Sequence, residues 1–225
     1  MSYQNGPRIV TNGLVLCLDA GNTKSYPGTG TSWTDLSGNG NNGTLTNGPT
    51  YSSTNKGSIV FDGSNDYIAL SSNSSFNFSS NNFTIECWVK ANSLTGVDKC
   101  LVEFRGSGTA SDGWVWFINS GNKMQIYDNG LKTESTTVLS TGFWYYLVIN
   151  RISGTIYYYI NTVAGGTAAY ATSTNASSTG TRIATRNDTT NSFNGNIANI
   201  KIYNRSLSSS EMLQNYNATK GRFGL

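Results

Sequence analysis

Residues 14–51 read LVLCLDAGNTKSYPGTGTSWTDLSGNGNNGTLTNGPTY, and residues 57–70 read GSIVFDGSNDYIAL. Three apolar runs stand out here: Gly13–Asp19, Ser58–Asp62 and Tyr67–Leu70. Each is short, rich in β-branched or large apolar residues, and bounded by Gly, Asn, Ser or Asp, which is the pattern of strands separated by tight turns. Working outward, the same pattern returns at Phe83–Lys90, Cys100–Phe104, Trp114–Asn119, Lys123–Tyr127, Gly142–Arg151, Thr155–Asn161, Thr181–Ala184 and Asn196–Tyr203. Hairpin turns are expected at Ser120-Gly121-Asn122, Asn129-Gly130 and Ser153-Gly154, because Asn and Gly tolerate the positive φ that such turns demand. Ala164–Thr181, made of small residues without periodicity, reads as a loop. One helix is predicted near the end. Ser208 and Glu211 have the spacing of a capping box, and Leu213 and Tyr216 give the helix an apolar side. Many short strands with so little helix predict an all-β sandwich or jelly roll of two antiparallel sheets.

Composition supports one domain. Ser, Thr, Asn and Gly make up 109 of the 225 residues, while charged residues are only 12%. A net charge of +3 spread over such a chain is no electrostatic footprint for nucleic acid. No apolar run reaches the ~18 residues of a membrane span. The 13 tyrosines and 5 tryptophans supply large surfaces for a core. Met1–Thr11, polar and containing Gly and Pro, reads as an N-terminal arm that docks on a partner or frays, with a single domain over 12–225. Met1–Val10 lacks the charged and apolar regions of a signal peptide, which predicts folding in a reducing cytoplasm. Cys17, Cys87 and Cys100 are odd in number and two lie in apolar runs, so buried free thiols are expected.

Several chemistries are excluded. There is no histidine, which removes Ser-His-Asp and Cys-His catalysis and His-ligated zinc. Neither Cys-x-x-Cys nor a phosphate-cradling Gly-rich loop occurs. A glycosidase needs two carboxylates ~5–9.5 Å apart. None of Glu86, Glu103, Glu134 and Glu211 has a second acid two residues away on the same strand face, so the chain reads as non-enzymatic.

Two sets of residues are candidates for binding. Asp35-Leu36-Ser37-Gly38-Asn39-Gly40 places oxygen side chains at positions 1, 3 and 5 and Gly at 6, as a calcium loop opens. Position 12 is Thr46 rather than Glu, which excludes an EF-hand. The alternatives are a tight polar loop or a structural Ca²⁺ held by Asp19, Asn22 and Asp35, with Asp62 and Asp66 next in order. Sugar recognition needs aromatic faces beside planar hydrogen-bonding groups. Trp114 and Trp116 share one strand face, and Tyr157 and Tyr159 share another. Asp112, Asn119 and Arg105 are the polar partners expected beside them. The alternative for these aromatics is burial between sheets.

Taken together, Leu16–Asn22, Trp33–Gly43, Gly57–Tyr67, Phe83–Lys90, Phe143–Val148 and Gly195–Leu207, followed by Glu211 and Tyr216, resemble the laminin G-like domain 3 branch of the concanavalin A-like lectin/glucanase superfamily, in the family's order. The resemblance implies a jelly-roll sandwich used by sugar binders, adhesion modules and glucanases, with structural calcium in some members. The E-x-D-x-x-E strand of the glucanases is missing. Ala198 and Asn199 stand where the family often has acids. The N-terminal wording also resembles structural proteins of tailed, particularly marine, bacteriophages. That resemblance implies a decoration or fibre protein on the virion surface. It would contact other capsid or fibre chains, copies of itself, or host-surface polysaccharide. A free lectin is the alternative expectation.

Overall fold

The computed structural model describes residues 8–71, 74–104, 113–128, 130–171 and 180–225. In chain order the strands are β1 (Leu14–Asp19), β2 (Ser32–Trp33), β3 (Gly43–Thr46), β4 (Thr50–Ser52), β5 (Ser58–Asp62), β6 (Tyr67–Leu70), β7 (Phe83–Ser93) and β8 (Lys99–Glu103). They continue as β9 (Val115–Ile118), β10 (Met124–Asp128), β11 (Leu131–Glu134), β12 (Trp144–Ile152), β13 (Thr155–Ile160), β14 (Val163–Ala169), β15 (Thr181–Ile183) and β16 (Asn194–Tyr203). Among the described residues two eight-stranded sheets form. The first runs β14-β13-β12-β7-β16-β5-β4 with β1 also on β16, and the second runs β11-β10-β9-β8-β15-β6-β3-β2. Every pairing is antiparallel, as expected.

One face of each sheet is apolar and packs on the other. Ile85, Cys87, Leu147, Ile149, Ile200 and Ile202 from the first sheet meet Ile68, Val102, Trp116, Ile126 and Ile183 from the second in a single buried cluster. Alternation along each strand makes this possible: successive side chains point to opposite faces, so every second residue is apolar and inward. The Ser153-Gly154 hairpin has φ of 48° and 76°, and Asn122 has φ 61°, in keeping with the turn chemistry. Asn129 lies outside the described residues, yet Asp128 pairs with Leu131 as a two-residue hairpin requires. Gly57 is dictated by close approach. Its φ is +123°, and a Cβ there would sit 2.3 Å from the Ala20 carbonyl oxygen.

Three expectations are corrected. Ala164–Thr181 is not wholly loop, because β14 covers Val163–Ala169; its Gly and Ala residues hide a strand from propensity, yet Val163, Ala164, Thr167, Ala168 and Ala169 pair with β13 around a register shift at Gly165-Gly166. The N-terminal arm does not extend to residue 11. Val10 is buried, its N–H donates to Asn215 Oδ1 at 2.7 Å, and its carbonyl accepts the Tyr203 hydroxyl at 3.0 Å. Residues 1–7 lie outside the described residues.

The third correction concerns the helix, α1 (Ser209–Thr219), which has the predicted capping box on Ser208 and Glu211. Leu213 is 46% exposed. The side that faces the protein is Met212, Asn215, Tyr216 and Thr219, at the i, i+3, i+4, i+7 spacing of one helix face. α1 covers the outer face of the first sheet through a second cluster containing Cys17, Trp88, Tyr146, Val148, Tyr203 and Phe223. Trp88 stacks on Phe223 at 4.2 Å and on Tyr216 at 5.6 Å. All three cysteines are buried free thiols. Among the described residues no helix is long and apolar enough to cross a membrane.

Candidate functional site

The outer face of the second sheet carries an ordered row of side chains. The register aligns Ala69 with Arg182, Arg182 with Glu103, Glu103 with Val115, and Val115 with Tyr127 across β6, β15, β8, β9 and β10. Their inward neighbours Ile68, Ile183, Val102, Trp116 and Ile126 belong to the core, so this row faces away from it. The Arg182 guanidinium lies over the Tyr67 ring, 4.3 Å from its centroid. Cys100, Val115 and Phe117, with Tyr127 beside them, form a small apolar cluster on the same face. Lys132 Nζ sits 5.9 Å from the Tyr127 ring centroid.

A loop following β15 is tied to this face. Glu103, 2% exposed, accepts the backbone N–H of Asn187 and lies 3.8 Å from Arg186 Nε. Arg182 Nη1 donates to the carbonyls of Arg186 and Asn187 at 3.3 and 3.2 Å. Arg186 pairs with Asp188 at 3.1 Å, and its buried Nε finds no hydrogen-bond partner among the described residues. Ala184, Thr189 and Asn191 adopt positive φ around this loop. The result brings a guanidinium stacked on a phenol to one side of the sheet, beside a loop whose backbone the buried Glu103 carboxylate holds in place. Such a set can stack the C–H face of a sugar and hydrogen-bond its hydroxyls.

The predicted sugar residues fall elsewhere. Trp114 and Trp116 are both 0% exposed, inside the sandwich, and so cannot stack a ligand. Trp114 stacks between Phe104 at 4.4 Å and Phe83 at 5.3 Å. Their shared face is real, but β9 lies mid-sheet and turns that face inward, leaving Val115 and Phe117 outward. Tyr157 and Tyr159 are half-buried on the outer face of the first sheet, with Tyr158 inward. Burial, and then Tyr157, push the Tyr159 phenol up. Asn119 is not a ligand arm: its Oδ1 caps the N–H groups of Gly121 and Lys123, and its Nδ2 donates to Glu134. Arg105 and Asp112 lie outside the described residues.

The carboxylates expected to hold calcium cap loops instead. Asp35 Oδ1 accepts the N–H groups of Cys17 and Ser37, and Oδ2 accepts the Ser37 hydroxyl and the Asn41 N–H, at 2.7–3.0 Å. Both oxygens are therefore turned toward donors, which does not fit a cation between them. Asp19 accepts Arg222 Nη1 at 2.7 Å and the Gly21 N–H at 2.9 Å. Asn22, Asp62 and Asp66 accept the N–H groups of Lys24, Ser64 and Asp62. Burial pushes the Asp66 carboxyl up. Among the described residues no group of three or more Cys, Asp or Glu side chains is placed to hold a metal ion.

Each glutamate has a structural partner. Glu86 pairs with Lys201 beneath α1, and Glu103 holds the loop just described. A hydrogen bond from Lys123 holds the Glu134 carboxyl low. Hydrogen bonds from Arg205 hold the Glu211 carboxyl at about 2.

A family model described as concanavalin A-like lectin/glucanases superfamily, of the laminin G domain 3 type, matches residues 62–212. The chain belongs to this family. Among solved structures it is similar to the binding domain of Paraclostridial Mosquitocidal Protein 1, with TM-score 0.70 and 20% identity over 92% of this chain and 52% of that one. It is also similar to domain 4 of a GH43 extracellular arabinanase from Geobacillus stearothermophilus in complex with arabinotriose, with TM-score 0.68 and 18% identity over 91% of this chain and 98% of that one. A third is the binding domain of Botulinum neurotoxin DC in complex with rat synaptotagmin II, with TM-score 0.70 and 13% identity over 93% and 52%. The chain thus spans about half the length of the two toxin domains. No curated protein sequence matches it. At these identities the likeness is one of fold, and the lectin-like sandwich is what they share.

Proposed function

We propose that this domain is a non-enzymatic contact module that holds glycan on the outer face of its second sheet, displayed on the surface of a tailed-phage particle among other virion proteins. The observation that carries the glycan reading is the half-buried Arg182–Tyr67 stack, set beside the loop that Glu103 holds. An aromatic ring and a guanidinium are groups that distinguish a polyol from water. The absence of catalysis on an external substrate is supported by the engagement of Glu86, Glu103, Glu134 and Glu211 with groups of this chain. The virion reading rests on the low-charge, Asn/Ser/Thr/Gly-rich composition and on the N-terminal wording.

The test is a glycan array with the purified domain, repeated with Arg182→Ala and Tyr67→Ala. Specific binding by the parent chain, weakened in both variants, supports the reading. Binding as tight as the parent's in both variants, or no binding by the parent at all, overturns the site. Fixed-stoichiometry recovery with purified particles supports the virion placement, and a freely soluble lectin that never sediments with particles overturns it.

A further inference from the structure

Beneath α1, three buried side chains from three elements meet around one carboxylate. Glu86 on β7 is 0% exposed, Lys201 on β16 is 2% and Asn215 on α1 is 0%. Glu86 Oε1 accepts Lys201 Nζ at 2.9 Å, and Oε2 accepts Asn215 Nδ2 at 3.1 Å and the Tyr146 hydroxyl. Asn215 Oδ1 accepts the backbone N–H of Val10 at 2.7 Å. Trp88, Tyr146, Val148, Tyr203 and Met212 wall the site from water.

This is an amine, an amide and a bridging acid in a dry pocket, with a donor already on the amide oxygen. We propose that Lys201 and Asn215 condense autocatalytically to an isopeptide bond that staples α1 to the first sheet. A lysine amine is a competent nucleophile once desolvated and deprotonated. Burial disfavours the Lys201 ammonium and Glu86 favours it, and the balance keeps it protonated, so the reaction begins with proton transfer to Glu86. The Nζ lone pair then attacks Cγ of Asn215. Negative charge gathers on Oδ1, where the Val10 N–H stabilises it. Glu86 relays the proton of the attacking nitrogen to Nδ2, the Cγ–Nδ2 bond breaks, and ammonia departs. The Nζ–Cγ amide forms, and Glu86 retains one proton. No oxidant or other reactant enters. A neutral acid and a neutral amide replace a buried ion pair, which is the direction a low-dielectric site favours.

Mass spectrometry of the full chain reads this directly and needs no variant. One lost ammonia lowers the mass by about 17 Da. A proteolytic digest of the denatured protein should contain a branched peptide joining Lys201 to Asn215. Glu86→Gln and Asn215→Ala should each keep the full mass and lose that peptide. Linear peptides carrying unmodified Lys201 and Asn215 as the sole products from the parent chain overturn the proposal. So does a branch from Lys201 to Asn199, whose Oδ1 lies 3.4 Å from Lys201 Nζ but whose Nδ2, the leaving group such a branch would need, makes no hydrogen bond to an acid.

Discussion

The Arg182 guanidinium rests 4.3 Å from the centroid of the Tyr67 ring, on a neighbouring strand, with Glu103 directly across in the register on the other side. A cation over an aromatic face is worth about 0.5–2 kcal/mol. Here it also fixes the ring as a flat shelf. Arg182→Ala and Tyr67→Ala should each weaken glycan binding by about 3- to 30-fold. Binding titrations on the array's best glycan test this. Dissociation constants equal to the parent's would remove these residues from the site.

Asp35 provides a sharp test of the calcium alternative. Its carboxylate satisfies the buried N–H of Cys17 and of Asn41. Asp35→Ala strands these donors at about 1–3 kcal/mol each, so the melting temperature should fall by many degrees. The parent chain should melt at the same temperature with and without a chelator. A chelator-induced fall that added Ca²⁺ reverses would show that a metal, and not loop capping, is the role of these acids.

The sequence displayed periodicity well and sidedness badly. Turn residues and the Ser208–Glu211 box were legible because their chemistry is local. The pairing of Trp114 with Trp116 was legible too, since strands alternate. Which face turned inward depended on where β9 sits in the sheet, and that is a long-range fact. The Arg182–Tyr67 stack was invisible for the same reason: Tyr-Ile-Ala-Leu and Thr-Arg-Ile each show an outward residue, but nothing local says that β6 and β15 are neighbours. The contrast makes a prediction. Trp116→Ala should cost about 3–5 kcal/mol in chemical denaturation. Tyr157→Ala, on the outer face, should cost about 1 kcal/mol. Equal losses at the two positions would contradict the assigned faces.

Glu211 ties the helix cap to pH. Arg205 and the Ser208 backbone N–H stabilise its ionised form and hold its carboxyl at about 2, below the ordinary 4.5. A depressed folded value means stability that is fully present above the unfolded value and lost as pH falls through the folded one. Glu211→Gln should therefore destabilise the chain by about 1 kcal/mol at pH 7. That difference should shrink between pH 4.5 and pH 2. Urea midpoints at several pH values decide it, and a gap that stays constant to pH 2 would refute the assignment.

The Glu86–Lys201 pair separates the cost of a lone buried charge from the worth of the pair. Glu86→Gln leaves Lys201 buried without its counter-charge, and breaking such a pair from one side typically costs about 3–5 kcal/mol. Removing both charges in Glu86→Gln/Lys201→Met abolishes that penalty, while the introduced amide oxygen can still accept from Tyr146 and Asn215, the partners seen at Glu86. Neither variant can carry out the Lys201–Asn215 condensation through Glu86, so the comparison is between uncrosslinked chains. The double variant should accordingly be the more stable of the two by about 1–4 kcal/mol. Denaturant titrations read this from midpoints at a common slope. If the second substitution lowers the midpoint further, Lys201 is contributing packing or hydrogen bonds that do not depend on Glu86.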